Sequence, residues 1–162
     1  MRKIWNRPNL PVWSLVTSDI AGISNMNICT YVSAVSMEPK LMTIAVYHNT
    51  KTLENLESCP TKPILLQLLS ATLAPVVRIC GQQSGLKIDK ISRLRKRFTL
   101  GEDTGLLYFA EGAGYLVLQP QIVTPINGDH VLYTCSVVKH VNLNDVPLLT
   151  TDILREQKII RS

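Results

Sequence analysis

Five consecutive residues, His48-Asn49-Thr50-Lys51-Thr52, place two hydroxyls, an amide and an ammonium at the end of an apolar run. A helix starting here leaves free backbone N–H groups beside them. Oriented amides, hydroxyls and a cation are what a phosphate dianion requires, with Lys51 as a point charge. The same residues also suit a plain helix cap, Asn49 or Thr50, beside a solvated lysine. A second concentration of chemistry is Gly128-Asp129-His130. His130 can donate a hydrogen bond to a bound molecule while Asp129 fixes its tautomer or the turn. The plainer alternative is an ordinary turn, since Gly and Asp are frequent there. His48 and His140 have no comparable setting and read as surface or packing residues.

Other reactive residue types form no recognisable site. The four cysteines, at 29, 59, 80 and 135, make no Cys-x-x-Cys, and no histidine lies at zinc spacing from a pair of them. Neither a metal site nor a dithiol redox pair is expected. Reduced thiols are the default, with Cys135 inside a strand pattern. There is no Gly-x-Gly-x-x-Gly, no phosphate-binding Gly-Lys-Ser/Thr loop and no Gly-x-Ser-x-Gly elbow.

The elements that must position these groups are mostly strands. Val12, Ser14 and Val16 alternate with Trp13, Leu15 and Thr17, and both sets are largely apolar, so Pro11–Thr17 predicts a strand buried on both faces. Asp19 to Gly22 is a turn by composition. β-Branched residues and Tyr31 predict the next strand over Ile28–Val35, ended by Glu38-Pro39. Leu41–Tyr47 is the clearest strand, with Met42, Ile44 and Val46 on one face, and it feeds a short helix from Thr50 to Glu57. Ile64–Leu69 suits a strand and Ala71–Ile79 a helix. Asp89–Arg97 predicts an amphipathic helix, with Ile88, Ile91, Leu94 and Phe98 on the apolar stripe and the basic residues opposite. Tyr115–Val123 and Val131–Val141 predict an antiparallel pair joined across 125–128. The tail from Thr151 predicts one or two helical turns. With no regular strand–helix–strand alternation, this pattern describes an antiparallel β-barrel with helical additions.

A chain of 162 residues, 46% hydrophobic and 18% charged, predicts one folded domain over 1–162 and argues against disorder. No apolar run approaches the ~20 residues that span a bilayer. The basic start, Met1 to Arg7, has no apolar region behind it, so a cytoplasmic protein without a leader is expected. The net charge of +5 is local: residues 87–97 hold six cations (Lys87, Lys90, Arg93, Arg95, Lys96, Arg97) against Asp89, and the other eleven basic and eleven acidic residues cancel. No chain-wide nucleic-acid surface is indicated, and neither nucleic acid nor membrane is expected as a partner. The one basic face suits solvent or a smaller anion such as NAD(P)H.

Three separated stretches, in order, resemble the flavin-reductase-like family of FMN-binding split barrels. Asn25-Met-Asn-Ile-Cys-Thr-Tyr-Val-Ser33, followed by Val35-Ser36, is similar to the family form Asn-x-Met-Thr-x-Ser-Trp-x-Thr ending in Val-Ser, with Asn25, Thr30, Tyr31 and Ser33 in register. It departs from that form at Asn27-Ile28. The resemblance implies that backbone groups of Asn27, Ile28 and Cys29 face an isoalloxazine ring, with Thr30 as a side-chain partner. It also implies that Asn49, Thr50, Lys51 and Thr52 hold the FMN phosphate. Ser84-Gly85-Leu-Lys-Ile-Asp89-Lys90 resembles the family's Ser-Gly-x-x-x-Asp-Lys, which implies that Ser84, Asp89 and Lys90 lie near the ligand, though Asp89 also suits a helix cap. Gly128-Asp129-His130 matches a family motif near flavin and nicotinamide, which implies a catalytic role for His130. The implied protein is mainly β, an antiparallel split β-barrel with a few short helices. It would be a homodimer using FMN and taking hydride from NADH or NADPH, with free flavin or another electron acceptor as its outlet. The alternative is a non-enzymatic FMN-binding electron carrier. A further alternative is a scaffold without flavin that acts through its basic helix.

Overall fold

The computed structural model describes residues 2–161. The alternation over 41–47 forms strand β4 (Lys40–Tyr47), in which Met42, Ile44 and Val46 are buried while their neighbours are not. β4 closes on α1 (Lys51–Ser58), whose N-cap is Thr50: its Oγ accepts from Leu53 N at 3.2 Å. The other strands are β1 (Trp13–Ser18), β2 (Ser24–Cys29), β3 (Val32–Met37), β5 (Ile64–Leu68), β6 (Leu100–Asp103), β7 (Leu106–Phe109), β8 (Gly114–Pro125) and β9 (His130–Asn142). A 3₁₀ segment, Ala71–Val76, runs into α2 (Val77–Cys80), and α3 (Lys90–Arg95) and α4 (Thr151–Glu156) complete the helices.

Seven strands form one antiparallel sheet in the order β2-β1-β5-β8-β9-β4-β3. The architecture is an antiparallel split β-barrel with a few short helices. Each wall strand sends alternate residues to opposite faces. Leu15, Ile44, Val46, Leu66, Leu118 and Tyr133 meet in one cluster, which α1 joins through Leu53 and Leu56. Val12, Val16, Met26, Leu65 and Val117 face the other way, against α2, α3, α4 and the β6–β7 hairpin. Full burial stabilises each such side chain by about 1.5–3 kcal/mol, and β1 is buried on both faces, as its sequence predicts.

Two expectations need correction, and one element is new. The strand predicted over Ile28–Val35 is two strands, because the chain breaks at Thr30–Tyr31. Cys29 and Val32 pack into the same cluster. Residues three apart on a continuous strand point to opposite faces, so the chain must turn between them. The helix predicted over 89–97 is shorter, and Lys90, assigned to its solvent face, is only 4% exposed. Its Nζ donates to the Cys80 carbonyl at 2.6 Å. Finally, the β6–β7 hairpin is an addition to the sequence prediction. Its turn, Thr104-Gly105, has positive φ at both residues (53° and 78°), which Gly105 adopts freely. Among the described residues, no helix is long and apolar enough to cross a membrane.

Candidate functional site

The two ends of the sheet, β2 and β3, are consecutive in the chain but do not pair: β2 bonds to β1 and β3 to β4. The outer edge of β2 at Asn27–Cys29 therefore faces the Ala45–Tyr47 end of β4 across the split. The Tyr31 carbonyl accepts from Ala45 N at 3.0 Å and ends the β3–β4 ladder there. Beyond it, strand edges offer backbone donors and acceptors that no neighbouring strand takes. The split holds a recess of about 300 Å³ lined by Asn27, Ile28, Cys29, Thr30, Tyr31, Tyr47 and His130, among others.

His130 opens β9 directly opposite Tyr47. Its ring lies between Tyr31 (centroids 5.3 Å apart, 56° between planes) and Tyr47 (5.2 Å, 70°). His130 Nδ1 is 2.6 Å from Asp129 Oδ1, and that bond holds the Asp129 carboxyl below its ordinary pKa. A neutral imidazole that donates from Nδ1 keeps Nε2 as an acceptor; a charged one donates from both nitrogens. Burial pushes the Cys29 thiol up to about 12, so it is a neutral thiol near pH 7 and a poor nucleophile.

Asn27 and Tyr47 also line a second recess, of about 260 Å³, which makes one trough of the two. This second recess is polar. Asn25, Asn49, Thr50, Lys51 and Thr52 form one wall, and Gln82, Gln83, Ser84, Gly85 and Lys90 the other. Asn49 has φ 58°, which turns the chain from β4 into α1. The Thr50 hydroxyl donates to the Tyr47 carbonyl at 2.9 Å while it caps the helix. Lys51 Nζ is 2.5 Å from Glu54 Oε1. The walls touch where the Asn25 side chain, bonded through Nδ2 to Thr52 Oγ1 at 3.4 Å, lies against Gly85. A Cβ on Gly85 would stand 2.1 Å from Asn25 Oδ1, so this approach requires glycine. Burial lowers the Lys90 pKa from 10.5.

The structure thus gathers thirteen of the fifteen residues singled out in the sequence along one trough. Ser33 and Asp89 lie outside it. Ser33 is exposed on β3, its hydroxyl bonded to the Ala34 carbonyl. Asp89 is exposed and caps α3, accepting from Ser92 N (3.0 Å) and Ser92 Oγ (2.5 Å). Sequence reasoning passed over Tyr47, Gln82 and Gln83. Tyr47 was legible as the last residue of a strong strand, next to the phosphate-type segment. The two glutamines carried no spacing signal.

Residues 10–153 match the model of the flavin reductase like domain. The chain belongs to this family. Several solved structures share the fold. A putative oxidoreductase from Sinorhizobium meliloti is 18% identical with a TM-score of 0.77, covering 90% of this chain and 48% of that one. This chain therefore spans about half the length of that protein. An FMN-binding protein from Thermus thermophilus, solved with bound 1-cyclohex-2-enone, is 17% identical (TM-score 0.72; 88% and 75% covered). An NADH:FAD oxidoreductase from Streptomyces globisporus is 14% identical (TM-score 0.77; 92% and 85% covered). At these identities the likeness is one of fold. No curated protein matches the sequence.

Proposed function

We propose that the chain binds FMN along the trough and reduces it with NADH or NADPH, passing electrons on to free flavin or another acceptor. One observation carries this: Lys90, a buried cation, is among the residues lining a polar recess that shares Asn27 and Tyr47 with an aromatic-walled slot at the barrel split. An ammonium has three donors, and the Cys80 carbonyl takes one. A buried cation with so little compensation calls for an anion, and an FMN phosphate fits that need. Lys51, Lys90, Thr52, Ser84 and the amides at the start of α1 would hold the phosphate. The edge of β2 at Asn27–Cys29 and the Thr30 hydroxyl would meet the polar rim of the ring, with Tyr31 and Tyr47 beside it. When bound, the flavin supplies the two-electron chemistry. His130 holds or offers a proton at Nε2, and Asp129 keeps its ring oriented through Nδ1.

In this proposal the chain acts as a single cytoplasmic domain that pairs with a second copy. The pairing is supported by exposed apolar side chains on edge strand β3 (Val35, Met37) and towards the far ends of β8 and β9 (Ile122, Val123, Val138). The test is the visible spectrum of the purified protein, then anaerobic addition of NADH or NADPH. A yellow protein that bleaches supports the reductase. A yellow protein that stays oxidised favours the electron carrier. A colourless protein that takes up no FMN overturns the proposal.

A further inference from the structure

The surplus charge of the chain is gathered on its exterior, around α3. Lys87, Arg93, Arg95, Lys96 and Arg97 are exposed, and among the described residues none of the five forms an ion pair. Asp89, the one acid in this stretch, has both oxygens engaged by Ser92. The patch is held firmly. Leu94 is buried beneath it, and Lys90 Nζ ties α3 to the Cys80 carbonyl. It also borders the trough, because Arg93 Nη1 donates at 2.9 Å to Gln83 Oε1, and Gln83 and Lys90 both line the polar recess. Like charges this crowded repel one another, and a negative partner relieves the repulsion.

A lipid surface is a poor match. The apolar stripe of Ile91, Leu94 and Phe98 packs into the core, so it is not free to enter a bilayer. Leu86, at 49%, is the one large apolar side chain exposed within 84–97. Nucleic acid is no better a match. Its phosphates call for cations spread along a stripe or groove, whereas outside 87–97 basic and acidic residues are equal, eleven of each. A compact acidic patch on another protein does fit. Opposite charges steer the encounter, and the contact stays small and reversible.

What such a partner would do follows from where it docks. The basic face adjoins the polar end of the trough, and the ring end lies beyond Asn27 and Tyr47. A protein seated there does not touch the flavin ring. Hydride moves only between atoms in contact, whereas electrons cross intervening protein. We propose that this face docks an acidic one-electron carrier, a metalloprotein that draws electrons from the bound flavin. This rests on the flavin-binding reading above and names the acceptor. The reduced flavin loses two electrons and two protons. One electron goes to the metal centre of each of two successive carriers, and the protons go to solvent.

Anaerobic stopped-flow oxidation of the FMN-loaded, pre-reduced protein tests the proposal, with plastocyanin as the acidic probe and cytochrome c as the basic one. The second-order rate with plastocyanin should fall by about tenfold or more from low to high salt, while the rate with cytochrome c should start lower and rise. The triple variant Lys87→Glu, Lys96→Glu, Arg97→Glu should slow plastocyanin by about tenfold or more. Its reoxidation by dioxygen, an uncharged acceptor, should stay within about twofold, since exposed substitutions leave the fold intact. The swap Lys87→Arg, Lys96→Arg, Arg97→Lys keeps the charge and should keep the plastocyanin rate. A plastocyanin rate indifferent to salt, or a triple variant slowed equally towards plastocyanin and dioxygen, overturns the proposal and leaves flavin binding in place. A triple variant with an unchanged plastocyanin rate also overturns it: a raised KM for NADH or NADPH then assigns the face to the reductant, and lost binding to phosphatidylserine vesicles or duplex DNA assigns it to those surfaces. If the unaltered protein takes up no flavin, both readings fall together.

Discussion

The two ends of the trough are built by opposite means. At the polar end, side chains from β2, α1, the 82–85 loop and α3 converge, and one of them is an ammonium held out of water. At the ring end, the main resource is missing strand pairing: β2 and β3 part company, and no strand pairs the edges between Asn27–Cys29 and Ala45–Tyr47, although Ile28 N is taken by Asn27 Oδ1 at 2.9 Å. The polar end concentrates charge, at a cost to the empty protein. The ring end offers neutral hydrogen bonds and flat surfaces, and His130 is the group there to which the proposal gives a part in the reaction. Affinity for a phosphorylated ligand should therefore reside chiefly at the first end, and reaction rate at the second.

The largest expected effect is at Lys90. Lys90→Met should weaken FMN binding by roughly 10- to 100-fold, because a charge-assisted hydrogen bond contributes about 1.5–3 kcal/mol. The same change should leave the empty protein equally stable or more so, since an apolar side chain of similar length replaces a buried charge. Burial lowers the Lys90 pKa from 10.5. Between that lowered value and 10.5 the unfolded chain holds a proton that the folded chain has released, so stability of the empty protein rises with pH across the window. The penalty for the buried ammonium is fully present below it. Phosphate favours the protonated amine, so FMN affinity should fall as pH rises through the same window. Lys90→Met should flatten both slopes, read by thermal melts and by flavin titration. A variant that melts much earlier yet binds FMN normally would make Lys90 a structural residue and undo the contrast between the two ends.

How far each end was legible follows from how it is built. The start of α1 is a local feature: a strong strand pattern followed by Asn49-Thr50-Lys51 announces both the cap and its donors, and Thr50 does cap the helix. The barrel class was equally open, because β4, β8 and β9 carry their own patterns and the family resemblance at Asn25–Ser36, Ser84–Lys90 and Gly128–His130 points to the same class. The break at Thr30–Tyr31 was not. Both residue types favour strands, and the break exists because Cys29 and Val32 must enter the same cluster, which involves residues far away in sequence. The burial of Lys90 was hidden for a similar reason, although the family motif marks the residue as near the ligand. Periodicity placed it among exposed cations, whereas its position depends on the Cys80 carbonyl ten residues earlier. The β6–β7 hairpin is a different case, for Asp103-Thr104-Gly105 is a turn signal that the sequence does contain.

At the ring end, His130→Ala should slow anaerobic flavin reduction by about tenfold or more, because a positioned proton donor or acceptor is removed. FMN affinity should change by no more than about twofold, because one neutral contact is lost among several. Asp129→Asn leaves the imidazole in place with a weaker orienting partner, so its rate loss should be smaller than that of His130→Ala. Stopped-flow absorbance at saturating flavin separates rate from binding. Equal losses of both in His130→Ala would mean that His130 holds the ring rather than serving its chemistry.

The smallest expected effect lies where the walls of the polar end touch. Gly85→Ala would place a methyl 2.1 Å from Asn25 Oδ1 and 3.1 Å from Lys51 Cβ. The Asn25 amide can rotate aside, but it then gives up its bond to Thr52 and crowds the recess. A stability loss of about 1 kcal/mol is expected, equivalent to a drop of roughly 2–4 °C in Tm for a chain of this size. FMN binding should weaken by only about threefold, since the cations stay in place and only the fit of the phosphate suffers. The reduction rate at saturating flavin should be unaltered, because Gly85 lines only the polar recess. A rate that falls in step with affinity would show that moving the phosphate moves the ring, and the division of labour between the two ends would then fail.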